Sequence, residues 1–155
     1  MRSLKYLIVF ILFVSCGYTP IYKTEQISKF KLETINHSGD KKIGIQLLKN
    51  LERFKDRNSN NIFDIYLTSV KKESVVSKNK KGDPSSYKIE LEINLNLINK
   101  NNDKKFSKKF TRGTTYNSMD NSFELNRYKM KLEENLTLQI LQEINNFFSI
   151  IQNDL

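Results

Sequence analysis

Residues Tyr87–Leu97 read YKIELEINLNL. Tyr87, Ile89, Leu91, Ile93, Leu95 and Leu97 are apolar, and Lys88, Glu90, Glu92, Asn94 and Asn96 between them are polar. Side chains alternate between the faces of a strand but recur every three or four residues on a helix. Six apolar positions in strict alternation therefore predict a strand with one buried and one wet face. The buried face needs a cover, which the rest of the chain must supply.

Working outward, Asn99–Asp103 (NKNND) is a polar turn longer than the minimal two-residue hairpin loop. Lys104–Tyr116 is predicted as the next strand, with Phe106, Phe110 and Tyr116 on one parity and Lys108, Arg112 and Thr114 mixed among them. Ser118, Asn121 and Ser122 then offer helix caps. Leu125, Tyr128, Leu132, Leu136, Ile140, Ile144, Phe147 and Ile151 step by three or four, marking one face of a long helix that no proline interrupts.

Upstream, Lys78–Ser85 (KNKKGDPS) reads as a loop, and Ile62–Lys72 as a strand that can run on through Val75 and Val76. Ile43, Leu47, Leu48, Leu51 and Phe54 predict an amphipathic helix from Asp40 to about Lys55. Asn36–Asp40 reads as a turn, and Ile27–Ile35 as a strand in which Phe30 and Leu32 alternate with Lys29, Lys31 and Glu33. The order is β-α-β-β-β-α. It predicts an α+β domain, a four-stranded mixed sheet with two helices packed on one face. The first two strands are expected to be parallel and joined by a right-handed crossover.

The first residues, MRSLKYLIVFILFVSC, place Arg2 and Lys5 before the apolar run Tyr6–Val14 and end on Ser15 and Cys16. That is the layout of a secretory signal peptide. It also resembles a bacterial lipobox, in which the cysteine is acylated and becomes the first mature residue. A spanning helix would need about 20 apolar residues, and Thr19, Lys23 and Glu25 arrive too soon. The expected division is a signal at 1–15, a lipidated tether at 16–26 carrying Pro20 and Tyr22, and a single domain at 27–155. Cys16 is the sole cysteine, so the domain is expected to hold together through its core without a disulfide.

Twenty-six basic residues against 17 acidic ones leave a formal charge of +9, and +7 (9 − 2) once Arg2 and Lys5 are removed. Such a surplus favours anionic partners. Lysines outnumber arginines 21 to 5 and asparagine is abundant, so much of the charge reads equally as ordinary solvated surface. An exported domain is not expected to meet nucleic acid. Lys78, Lys80 and Lys81 crowd one loop. Lys105 and Lys109 share one face of the fourth strand, and Lys108 and Arg112 the other. A ladder of this kind can hold phosphate groups, or it can guard a sheet edge against unwanted pairing.

Signals for catalysis are sparse. His37 is the only histidine, which leaves no Cys/His metal cluster, and the five glycines are too scattered for a phosphate loop. Glu133, Glu134 and Asp64 read as surface positions, and Tyr66, Phe106, Phe110 and Phe147 as core. No enzyme activity, metal or cofactor is expected.

Cys16-Gly17-Tyr18-Thr19-Pro20-Ile21-Tyr22 resembles the opening of the lipopolysaccharide-assembly lipoprotein family, LptE. The element order is similar too, as are the strand ending Thr111-Arg112-Gly113-Thr114-Thr115-Tyr116 and the long C-terminal helix. The resemblance implies an outer-membrane lipoprotein, anchored through acyl chains, with its domain on the periplasmic side or inside a barrel lumen. It would plug and assist a large β-barrel translocon (LptD-like) that places lipopolysaccharide in the outer leaflet. On this view Lys105, Lys108, Lys109 and Arg112 are candidate ligands for lipid A phosphates. The alternative is a structural or pilot lipoprotein of another envelope complex, without a glycolipid ligand.

Overall fold

The computed structural model describes residues 30–55 and 58–153. The signal, Cys16, the tether and the start of the first strand at 27–29 lie outside them. Strand β1 (Phe30–Gly39) leads into helix α1 (Lys41–Leu51) and a 3₁₀ turn (Glu52–Phe54). Strands β2 (Asn61–Lys78), β3 (Pro84–Asn99) and β4 (Lys105–Asn117) follow, and helix α2 (Ser122–Asn153) closes the chain. Spatial order in the sheet is β1-β2-β3-β4, with β1 parallel to β2 and the other two pairs antiparallel. This is the expected α+β domain with a mixed sheet.

Several boundaries differ from expectation. Asn36–Gly39 is strand rather than turn, because each residue from Asn36 to Gly39 finds a partner from Tyr66 to Ser69. The turn is made at Gly39 itself, whose φ is +103° and where a Cβ would lie 2.0 Å from the Ser69 carbonyl oxygen. Only glycine fits such a position. Asp40 then caps α1, its carboxylate accepting from the amides of Lys42 and Ile43 at 3.0 and 3.1 Å. A bulge at Glu33 moves the inward parity of β1 from Phe30 and Leu32 to Ile35. At the other end of the sheet, β3 starts at Pro84, and its hairpin with β2 turns on Asn79–Asp83.

The core lies between one sheet face and the helices. Ile89, Leu91, Ile93, Leu95 and Leu97 of β3 are all buried, and so are Phe63, Ile65 and Leu67 of β2. Opposite them sit Leu136, Ile140, Leu141, Ile144, Phe148 and Ile151 of α2 with Ile43, Leu47 and Leu51 of α1. Phe30 joins the 3₁₀ turn and α2 to the sheet, its ring 5.7 Å from Phe54, 5.5 Å from Phe63 and 5.2 Å from Phe148. Asn121 is the cap that α2 uses, accepting from the Phe123 and Glu124 amides at 3.0 and 3.3 Å. The predicted helix face needs two corrections. Tyr128 is exposed, and Phe148 and Leu141 are buried deeper than Phe147.

Candidate functional site

The four basic residues of β4 do not converge. Lys108 and Arg112 project to the helix side. The Lys108 ammonium lies 5.6 Å from the Phe110 ring centre and 5.0 Å from that of Phe147, and the Arg112 guanidinium is ion-paired with Glu143 of α2. Lys105 and Lys109 project to the opposite, open face. There Lys109 sits 2.8 Å from Glu92. Lys105 has no ion-pair partner among the described residues.

Two charged clusters tie the strands to α2 on the helix side. Lys71 donates to Glu133 at 3.0 Å and lies 3.5 Å from Asp40, with Lys42 3.7 Å from Glu133. The hydrogen bond to Glu133 raises the Lys71 pKa above its ordinary value. Burial works to raise the Asp40 carboxyl, but the Ile43 amide and Lys71 outweigh it and hold the group below its usual range. Further along, the Tyr116 hydroxyl donates to Glu73 at 2.5 Å and the Lys129 ammonium at 2.7 Å. Burial opposes ionisation of Glu73, and these two donors override it, so its pKa is lowered. Tyr87 and Tyr116 stack at 5.4 Å beneath Lys129. All of these groups satisfy one another and hold structure together.

His37 and Ser69 share a hydrogen bond of 2.9 Å near Asp40, a grouping that sequence spacing did not reveal. It does not form a nucleophile. Ser69 is 3% exposed, and Asp40 is committed to its cap and to Lys71. Burial lowers the His37 pKa against the pull of Asp40. A Cβ at Gly44 would lie 2.3 Å from the imidazole, so the pair is locked against α1. Among the described residues no group of three His, Cys, Asp or Glu side chains could hold a metal ion.

The open face is different in kind. Register rows place Asn36, Tyr66, Asn96 and Ser107 side by side across all four strands, flanked by Ser38, Thr68, Asn94 and Lys109. Its charges are largely paired: Lys109 and Lys72 with Glu92, Lys88 with Glu90 at 2.6 Å, and Lys100 with Glu33. The hydrogen bond from Lys109 lowers the Glu92 pKa, and that from Lys88 lowers Glu90. A shallow concavity of ≈ 350 Å³ interrupts this surface, lined by Tyr66, Asn96, Leu97, Ile98, Lys105 and Ser107. Tyr66 is therefore not core, as expected from its composition, but 43% exposed on the wet face. Its parity carried the signal, since Phe63, Ile65 and Leu67 face inward on either side of it. Phe110 is buried as expected, with Phe106 and Phe147 partly so.

No protein-family model and no curated protein sequence matches the chain. Solved structures do match its fold. The crystal structure of the rare lipoprotein B from Shewanella oneidensis aligns with a TM-score of 0.58 at 14% identity, covering 79% of this chain and 98% of that one. The solution structure of lipoprotein B from Nitrosomonas europaea aligns with a TM-score of 0.53 at 14% identity, covering 81% and 90%. At these identities the likeness is one of fold.

Proposed function

We propose that the chain is an envelope lipoprotein, anchored through acyl chains on Cys16, that assists lipopolysaccharide assembly as the partner of a large outer-membrane β-barrel. The observation that carries this reading is a join of two independent features. A signal-like segment ends on Cys16-Gly17, and behind it stands a domain with the fold of two proteins described as lipoprotein B.

Physical arguments support the reading. No helix among the described residues is long and apolar enough to cross a membrane, and acyl anchoring needs none. Each buried CH₂ contributes about 0.8 kcal/mol, so more than one chain makes attachment stable. The interior of a transmembrane barrel is polar, and the open sheet face, with its Asn, Ser and Thr rows and paired charges, suits such surroundings. The role is binding and occlusion, with no bond made or broken.

Co-purification from detergent-solubilised outer membranes tests it. A single very large β-barrel protein should accompany the wild-type chain. Recovery with some other envelope complex, and without that barrel, would sink the proposal. The anchor is checked separately. Cells fed radioactive palmitate should label the wild-type protein and leave Cys16→Ala unlabelled.

A further inference from the structure

The open face changes character where the chain enters β1. There Lys31 is the register partner of Ile62, and Asp64 that of Ile98. Alternate residues of a strand share a face, so Ile62, Ile98 and Tyr66 stand together on this one. The two isoleucines are half-buried, and Tyr66 is 43% exposed. Tyr66 and Ile98 line the hollow of ≈ 350 Å³ with Asn96, Leu97, Lys105 and Ser107. Ser107 donates to the Asn96 side-chain oxygen at 2.7 Å, and the Asn96 NH₂ has no partner among the described residues. Farther up the strands the face turns to Asn36, Thr68, Asn94 and paired charges.

The chain itself carries a segment that suits this hollow. Tyr18-Thr19-Pro20-Ile21-Tyr22 has four apolar or aromatic residues in five, and polar Lys23-Thr24-Glu25-Gln26 follows. Tyr22 precedes Phe30 by eight residues. Eight extended residues reach about 26–29 Å. Phe30 pairs with Asn61, so the Tyr66 row lies five residues along, about 16 Å, and the hollow one to two strands over, about 5–10 Å. The segment therefore reaches the hollow with length to spare for a reversal at Lys23–Gln26.

We propose that Tyr18–Tyr22 folds back and seats on the hollow, so that the N-terminal tether is a strap over the open face. Ile21 and Tyr22 pack on Tyr66 and Ile98, and their backbone carbonyls accept from the Asn96 amide. Pro20 restricts the segment before it docks, which lessens the entropy lost on ordering. A shallow hollow holds a free peptide weakly, but a tethered one is present at an effective concentration in the millimolar range. Charge does not select the occupant: the tether carries Lys23 and Glu25, and this end of the face Lys31, Asp64 and Lys105. A second copy fits less well, because a stable interface buries about 1,200 Å² or more and three apolar residues offer far less. The consequence at the membrane rests on the lipoprotein reading above. Seated, the strap leaves five residues of reach, about 17 Å, between Cys16 and Ile21; released, fourteen residues, about 48 Å, separate Cys16 from Phe30. The strap thus sets how far the domain stands from its anchor and covers the hollow until a partner displaces it.

The experiment is limited trypsin digestion of the purified full chain in detergent micelles. Cleavage after Lys23 should be slow in the wild type and about tenfold faster in Tyr66→Thr, since cleavage follows the open population. Tyr66→Phe, which keeps the ring, should stay protected. Cleavage after Lys81, in the hairpin turn at the opposite end of the sheet, should keep one rate in all three chains and reports that the variants are folded. Nuclear Overhauser contacts between the Ile21 methyl groups and the Tyr66 ring should be present in the wild type. Equal cleavage after Lys23 in wild type and Tyr66→Thr would overturn the proposal. So would a protection that disappears on dilution, which would assign the hollow to a second copy. The digestion uses the isolated chain and needs neither the barrel nor the acyl group, so its failure is distinguishable from failure of the co-purification.

Discussion

The two faces of one strand show how this domain divides its labour. On β3, Ile89, Leu91, Ile93, Leu95 and Leu97 are almost wholly removed from solvent beneath the helices. Between them, Glu90, Glu92, Asn94 and Asn96 stand in water and answer to one another and to Lys88, Lys109 and Ser107. The inner face stabilises by burying apolar area, at roughly 25 cal/mol per Å². The outer face contributes little of that kind, since exposed ion pairs are worth at most about 1 kcal/mol each. Stability is thus concentrated on one side, which leaves the other chemically free to meet a partner.

The strongest way to break this comparison is a pair of neighbouring truncations. Leu91→Ala should cost about 2–5 kcal/mol, as core leucines do. Glu92→Gln, one residue along, should leave the urea midpoint almost unchanged. Equal losses in urea denaturation would mean that the two faces share the work of folding after all.

Next in size is the junction between β1 and α1. Gly39→Ala combines a left-handed backbone with a Cβ 2.0 Å from the Ser69 carbonyl oxygen, and should cost about 1–3 kcal/mol. Gly82→Ala in the hairpin turn has a similar φ of +91° but open space around it. It should therefore carry only the backbone strain, about 1 kcal/mol. Thermal melts of the two variants compare a turn pressed against the neighbouring strand with one that has open space around it.

Acid should act through the helix-side groups. Folding lowers the His37 pKa, so the unfolded chain binds more protons, and stability should decline as pH falls through its ordinary value of 6.5. Glu73 is also lowered in the folded state. Its contribution is present above its ordinary 4.5 and is lost as pH falls further toward its folded value. Denaturation across this range should show both segments. His37→Gln should flatten the upper one and Glu73→Gln the lower. The lowered pKa values of Glu90 and Glu92 come from solvated pairs, so their part should fade in high salt.

The smallest expected effect is on the open face itself. Tyr66→Thr should change stability by no more than about 0.5 kcal/mol, as for an exposed position with no structural task. A large loss in denaturant would reassign Tyr66 to structure and return it to the reading its composition suggested.

Alternation in Tyr87–Leu97 and the stepped leucines of α2 made the elements and their buried faces legible, because burial imposes a period of two or about 3.6 on any sequence. Boundaries were less legible where pairing overrode local preference. Asn36-His37-Ser38-Gly39 has turn composition, yet it is strand because β2 offers it backbone partners. The basic residues of β4 were correctly split by parity, but not their fates. Nothing in the chain around Arg112 announces Glu143, and nothing around Lys109 announces Glu92.

By itself, the order of apolar residues determined the element types, the mixed sheet and the single helix-covered face, since each is a local consequence of periodicity and connection length. Tertiary structure alone decided which charges are paired and which are not, because most of the ion pairs join residues far apart in the chain. It also decided that Tyr66, Asn96, Lys105 and Ser107 lie together. They come from three strands, and only the registers of β2 with β3 and of β3 with β4 bring them into neighbouring rows.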